Sequence, residues 1–264
     1  EQTIEVLTPD SLQAINYRTQ EQLVPADGVS EYQVVISLKD RDNRPYIGTT
    51  SLTLDTNIGR ISTDDGSKDN TLSVIQAFNQ NIHPLKIYNY MPNRGKGYAV
   101  RYGMLKGTGK YRLFTDADLS TPIQEVQSIL GYLDQGYDIC IASRAVADSN
   151  VIKHQSFHRE AMGIIYNRII RLTLSLPFYD TQCGFKCIKG TVADIIFPKL
   201  CVDRFAFDVE LLYAAQCLGY TAKEVGTKWM NSPETKVSLV SDSLQMLGAI
   251  LKIRYHAMAG RYNQ

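Results

Sequence analysis

The chain has 264 residues, of which 44% are apolar and 21% charged, enough to bury one sizeable α/β core or a core with an appendage. A formal net charge of +1 lacks the basic excess of a nucleic-acid binder, so no nucleic acid is expected as partner. No apolar run reaches the roughly 18 residues of a membrane-spanning helix, no signal peptide is visible, and the chain opens at Glu1 without Met, which leaves room for an upstream anchor.

Residues 1–30 are polar and weakly periodic and read as a lead-in. From Glu31 onward, short apolar runs alternate with longer amphipathic stretches. Strands are predicted at Tyr32–Leu38, Ile58–Ser62, Leu85–Tyr90, Tyr111–Thr115, Tyr137–Ala142 and Thr221–Thr227. Helices are predicted at Asn70–Gln80, Gly97–Leu105, Pro122–Leu133, His158–Leu174 and Phe207–Leu218. This alternation predicts one α/β domain over residues 31–240, a mostly parallel sheet with helices on both faces. Thr121 ahead of Pro122, with Gln124 three positions on, reads as a capping box, and Gly136 ends that helix. Gly107 and Gly109 stop the helix before the strand at Tyr111. Over residues 241–264, Leu244, Leu247, Ile250 and Leu251 recur near helical spacing and Lys252, Arg254 and Arg261 follow. That pattern suits either a basic amphipathic helix on a membrane interface or an ordinary packing helix.

The five cysteines (Cys140, Cys183, Cys187, Cys201, Cys217) offer one C-x3-C pair and no second pair at zinc-ligand spacing. Reduced buried thiols, as in a cytosolic protein, are the expectation.

The strongest chemical signal is Asp116-Ala117-Asp118, where an apolar strand ends on two carboxylates one residue apart. Open α/β sheets bind ligands beyond the carboxyl ends of their strands. Paired acids there repel each other, and a divalent cation relieves the repulsion while water and phosphate oxygens complete its shell. The same pair also occurs in solvated turns. Upstream, Asp64-Asp65-Gly66 closes a strand with a carboxylate able to accept from a nucleobase N–H, or forms a plain strand-to-helix turn. Asn93-Arg94-Gly95-Lys96-Gly97 places two cations in a glycine-punctuated loop that can approach phosphate closely, or is an exposed basic turn. Asp208 opens the helix at Phe207-Asp208-Val209-Glu210, as a helix-terminal charge or as a site carboxylate.

Taken in order, DDGSxDxT, N-x-G-K-G and DADLSTP resemble the family 2 glycosyltransferases with a GT-A, Rossmann-like fold. Ala142-Ser143-Arg144, Arg159 with Gly163 and Asn167, Asp180 to Lys186, Phe207 to Glu210, and Trp229 with Lys236 narrow the likeness to the polyprenyl- and dolichyl-phosphate hexosyltransferases, closest to the dolichyl-phosphate β-glucosyltransferase branch. The resemblance covers roughly Asp64 to Arg254. It implies a metal-dependent inverting transfer of a hexose, glucose from UDP-glucose, to a polyprenyl or dolichyl phosphate at the cytosolic membrane face, with Mg²⁺ or Mn²⁺. Transfer of mannose from a GDP-sugar, or non-catalytic binding of nucleotide-sugar or lipid phosphate, are the alternatives. Carried over by residue, Asp64 and Asp65 serve the nucleotide, and Asp116 and Asp118 serve the metal and the chemistry. Lys96, Gly184, Phe185 and Lys186 serve the donor, and Arg144, Arg159 and Lys236 the acceptor phosphate. Arg144 and Asp208 are also assigned to the catalytic set. Ser120 stands where related mannosyltransferases carry a glutamine ligand. The chain departs from the family pattern I-P-x-Y-N-E-E in its first strand, where Ser37 replaces proline, Lys39 the aromatic and Arg41 the first glutamate.

Overall fold

The computed structural model describes side chains at 61–66, 72, 76, 86–116, 120–153, 160–231 and 245–263, and backbone alone at 3–5, 16–18, 32–38, 48–50, 60, 85, 157–159 and 241–244. In chain order its strands are β1 (Thr3–Glu5), β2 (Asn16–Arg18), β3 (Tyr32–Leu38), β4 (Gly48–Thr50), β5 (Arg60–Asp64), β6 (Leu85–Asn89), β7 (Tyr111–Asp116), β8 (Ile139–Ser143), β9 (Asn150–Lys153), β10 (Phe185–Lys189), β11 (Ala222–Gly226) and β12 (Lys228–Met230). Its helices are α1 (Lys96–Lys106), α2 (Val126–Asp134, entered through a 3₁₀ turn at Ile123–Glu125), α3 (Phe157–Leu174), α4 (Gly190–Ile196), α5 (Phe207–Cys217) and α6 (Ser241–Met258).

Successive strand residues point to opposite faces, and here both faces are covered. Phe114, Ile139, Ile141 and Ile188 share one core with Val100 and Met104 of α1, Ile170 of α3, Val192 and Ala193 of α4, Leu211 of α5 and Ile250 of α6. Their alternates Leu113, Cys140, Ala142, Phe185 and Cys187 share the other with Ile129 and Leu133 of α2. Burying each such Phe, Leu or Ile contributes roughly 1.5–3 kcal/mol. A strand buried on both faces reads as a continuous apolar run, which is why β7 and β8 are legible in the sequence.

The eight-stranded sheet runs β11-β8-β10-β7-β3-β4-β5-β6. Six strands share one direction, while β4 and β10 are reversed, each antiparallel to both neighbours. The reversal of β10 has a functional consequence. It brings the start of β10 to the carboxyl ends of β7 and β8, with Phe185 opposite Thr115 and Lys186 opposite both Phe114 and Ile141. Separate two-stranded pairs join β1 to β2 and β12 to β9.

The structure shifts several predicted boundaries. The second predicted strand lies two residues later, at Arg60–Asp64, and Ile61 through Asp64 are buried. β3 forms as predicted and pairs in parallel with β7, with Ser37 opposite Asp116, despite the altered family pattern. Thr121 does not cap the next helix; Pro122 is the N-cap of the 3₁₀ turn, and the Thr121 hydroxyl lies 3.7 Å from Cys183 Sγ. Gly136 does end α2: with φ of 115° it lets Gly136 N–H reach Leu133 O and Tyr137 N–H reach Tyr132 O, a Schellman motif. Gly107, by contrast, ends α1 in extended conformation at φ of −68°, available to any residue. Leu72 and Gln76 of the predicted Asn70–Gln80 helix are helical, and the rest of it lies outside the described residues.

Candidate active site

Every parallel strand of the central sheet delivers its last residue to one edge, and the register places these residues in a row. Asp64 at the end of β5 is opposite Gly48, which is opposite Leu38; beside Leu38, Ser37 is opposite Asp116 at the end of β7. Three inter-strand steps separate the two acids, roughly 14 Å.

Asp116 is held on two sides. Its N–H donates to Gly184 O at 2.8 Å, and its carboxylate is ion-paired with Lys96 Nζ. Gly184 is required by close approach, since a Cβ there would overlap the Asp116 carboxylate. Lys96 itself is the first residue of α1, placed by the glycine loop before it. Gly95 takes φ of 117° and lies against Asp203 O, while Gly97 lies against Val202 O and Phe207. Asp65 anchors the same loop from the other side: it accepts the N–H of Arg94 at 2.7 Å and of Gly95 at 2.8 Å. Burial pushes the Asp65 pKa upward, and these two N–H donors work against that rise. Asp65 therefore shapes the glycine loop, while Asp64, also buried, sits at the strand end.

Arg144 follows β8. Its backbone N–H donates to Asp180 at 3.1 Å, and its Nε and Nη2 grip the Asp180 carboxylate at 2.6 and 2.8 Å. Burial opposes the charge on Arg144, but Asp180 outweighs it and raises the pKa; the reciprocal effect lowers Asp180. Asp180 is in turn fixed by its N–H to Glu224 at 2.7 Å, and the adjacent Thr181 by Asn167 of α3 at 2.9 Å. The Arg144 guanidinium lies 5.3 Å from the ring of Trp229. All three line a cleft of about 970 Å³ whose far wall is α3, with Ile164, Arg168 and Leu172, and which also includes Tyr179.

Lys186 and Asp208 pair with each other instead of opening to the crevice. Nζ donates to Asp208 at 2.5 Å and to Cys183 O at 2.6 Å, with both side chains almost wholly buried. Lys186 thereby fixes the Cys183–Gly184 turn against which Asp116 rests. Phe185 points into the α2-side core. Asp118 and Lys236 lie outside the described residues, and Arg159 is described by its backbone alone. The sequence motifs contain Asp180 and Trp229 but assign neither a role; the available signals are the acid heading the Asp180–Lys186 motif and the single tryptophan of the chain. Among the described residues no three of His, Cys, Asp and Glu converge as a metal site, and Cys140, Cys183 and Cys187 are free buried thiols. The donor set at Asp116 nonetheless fits a magnesium-type ion, which takes one or two carboxylates and fills its shell with water and phosphate oxygens.

This fold and site define an α/β protein with a crevice at the carboxyl ends of its parallel strands, and comparison with known proteins narrows that class. The profile of "Glycosyl transferase family 2" matches residues 53–191. The chain belongs to this family. It is 35% identical over 207 residues to a dolichyl-phosphate beta-glucosyltransferase of Dictyostelium discoideum, covering 75% of this chain and 62% of that protein. With the human protein of the same name the identity is 31% over 214 residues, covering 76% and 65%. The chain thus spans under two thirds of the length of these relatives. Among solved structures it resembles glucosyl-3-phosphoglycerate synthase of Mycobacterium tuberculosis, crystallised with Mn²⁺, UDP and glucosyl-3-phosphoglycerate. The TM-score is 0.58 at 17% identity, covering 86% of this chain and 81% of that one. The fold is the GT-A fold expected from the sequence.

Proposed function

We propose that the chain transfers glucose from UDP-glucose to the phosphate of a dolichyl or polyprenyl phosphate, with inversion and with Mg²⁺ or Mn²⁺, at the cytosolic face of a membrane. The observation that carries this reading is the row of strand ends that sets Asp64 three inter-strand steps, roughly 14 Å, from Asp116, the span from a nucleobase to its diphosphate. The names of the relatives support the sugar and the lipid, and the Mn²⁺–UDP complex of the structural neighbour supports the nucleotide and the metal.

Asp64 receives the base, and Asp116 with Asp118 would hold the cation, which supplies positive charge at the departing diphosphate. Lys96, which pairs with Asp116, is placed to meet the same diphosphate. Gly184 keeps the approach to Asp116 clear for donor atoms. On the acceptor side, Arg144 is locked in orientation by Asp180 and presents a cation in the cleft, and the family resemblance adds Arg159 and Lys236 to the phosphate-binding set. A lipid phosphate is ionised near neutral pH and attacks the anomeric carbon without surrendering a proton, so positioning and charge stabilisation carry the rate. Asp208 therefore need not act as a base. It holds Lys186, and through it the turn under Asp116.

The membrane face is α6 with α3. Leu251, Tyr255 and Met258 form an exposed stripe on α6, Ile164, Ile165 and Leu172 are exposed on α3, and Arg254 bridges the two by donating to Thr173 O at 3.2 Å. Lys252 on α6 and Arg168 and Arg171 on α3 add cations to the same two helices, a combination suited to anionic lipid headgroups. Among the described residues no helix is long and apolar enough to cross a membrane.

Titration calorimetry with Mn²⁺ and either UDP or GDP tests the donor half of the reading. UDP should bind at least ~10-fold more tightly; equal affinity, or preference for GDP, would point to the mannose alternative.

A further inference from the structure

The loop that places Lys96 is held from behind by a buried acid that no functional role requires. Segment 200–203 forms the bed of that loop: Tyr98 N–H donates to Asp203 O at 3.1 Å, and Arg101 donates to Asp203 Oδ1 at 2.7 Å and to Leu200 O at 2.9 Å. Gly95 and Gly97 pack on Asp203 O and Val202 O so closely that neither admits a Cβ. The bed is in turn pinned by Glu210 of α5, whose wholly buried carboxylate accepts the N–H of Cys201 at 2.9 Å, the N–H of Val202 at 2.7 Å, the Cys201 thiol at 3.0 Å and the Tyr262 hydroxyl at 2.6 Å.

Tyr262 comes from the segment after α6, far from the crevice in sequence, and is itself fully buried. Its ring meets Tyr213 edge-on at 6.3 Å. Its neighbours are tied to the bed as well: Arg261 Nε donates to Lys199 O at 2.6 Å, and Lys199 Nζ to Asn263 O at 2.7 Å. Burial, reinforced by Glu210, raises the hydroxyl pKa, so it stays a donor throughout the physiological range.

We infer that Tyr262 and Glu210 are positioning residues for Lys96: the segment after α6 sets the height of the glycine loop, and with it the cation that meets the donor diphosphate. The inference rests on the function proposed above for Lys96. A merely structural Tyr262 would change the melting temperature and leave Lys96 unaffected.

Tyr262→Phe removes only the hydroxyl. UDP titrated with Mn²⁺ into the purified protein should bind roughly 3–10-fold more weakly in Tyr262→Phe, and the same substitution in a Lys96→Ala background should cost nothing further. An equal loss in both backgrounds, or none in either, overturns the inference. Amide hydrogen exchange reads the linkage without nucleotide: the Tyr98 amide should exchange several-fold faster in Tyr262→Phe. Asp203→Asn, which weakens the bed at a different point, should do the same. Unchanged exchange at Tyr98 in both variants overturns it. If the unmodified protein binds neither UDP nor GDP, the functional reading fails, while the exchange measurement still decides whether Tyr262 governs the loop.

Discussion

Lys96–Asp116 and Lys186–Asp208 are the same chemical pair, and they lie within a few residues of each other at one end of β7 and β10. In the first, the side chains are 13% and 33% exposed; in the second, 0% and 3%. The half-open pair can exchange its partner for a ligand, because water and phosphate can replace what either charge gives up. The sealed pair cannot. Separating two charges inside the core leaves each unsolvated, so that pair serves only to hold the Cys183–Gly184 turn. Position relative to the crevice, more than residue type, divides binding from support.

The division can be broken most sharply at the sealed pair. Lys186→Met alone should strand the Asp208 carboxylate and lower stability by about 3–5 kcal/mol in urea unfolding. Lys186→Met with Asp208→Leu should recover most of that loss. If the single change is harmless, the pair is not holding the fold. Gly184→Ala comes next. Its methyl must displace the Asp116 carboxylate, so transfer should fall about 10–100-fold with a change in melting temperature of only a few degrees; a variant with normal turnover would show that Asp116 has room to move.

The Arg144–Asp180 pair is tested by acid. Burial alone would raise Asp180, but Arg144 outweighs it and sets its pKa below the ordinary 3.8. A carboxyl so depressed adds stability that is complete above about pH 4 and fades as pH falls through its lower folded value. Thermal melts of the unmodified protein and Asp180→Asn should therefore differ at pH 7, and the gap should narrow as pH falls below about 4. A constant gap across that range would contradict the assignment. The smallest effect belongs to the surface. Leu251→Asp should weaken sedimentation with phosphatidylserine-containing vesicles about threefold or more, and leave binding to neutral vesicles weak throughout. Unchanged binding to anionic vesicles would remove α6 from the membrane face.

Much of the fold was legible because buried strands leave continuous apolar runs, and β3, β7, β8 and α3 stand close to where the pattern put them. β10 was missed for a physical reason. Lys186 interrupts its apolar run, and a lysine inside a strand reads as an edge or a loop unless its partner Asp208, 22 residues away, is known. α4 was missed because seven residues give too little periodicity, and β4 because three residues give almost none. At the site, Asp64, Lys96, Asp116, Gly184 and Arg144 were named from motif order. Their grouping by support and exposure was not, since Asp65, Asp208 and Glu210 look as reactive in the sequence as Asp116 does. Only the bonds show that the first holds a loop, the second a lysine and the third the bed beneath that loop.

In the proposed function the open pair, with Asp116 at the end of β7, serves glucosyl transfer to a lipid phosphate. The direct test incubates the protein with Mn²⁺, radiolabelled UDP-glucose and a short dolichyl phosphate, then extracts the lipid. Label should enter the organic phase with the unmodified protein and fall at least ~100-fold with Asp116→Asn, whose melting temperature stays within a few degrees. Label at the same rate with Asp116→Asn, or none with the unmodified protein, would contradict it.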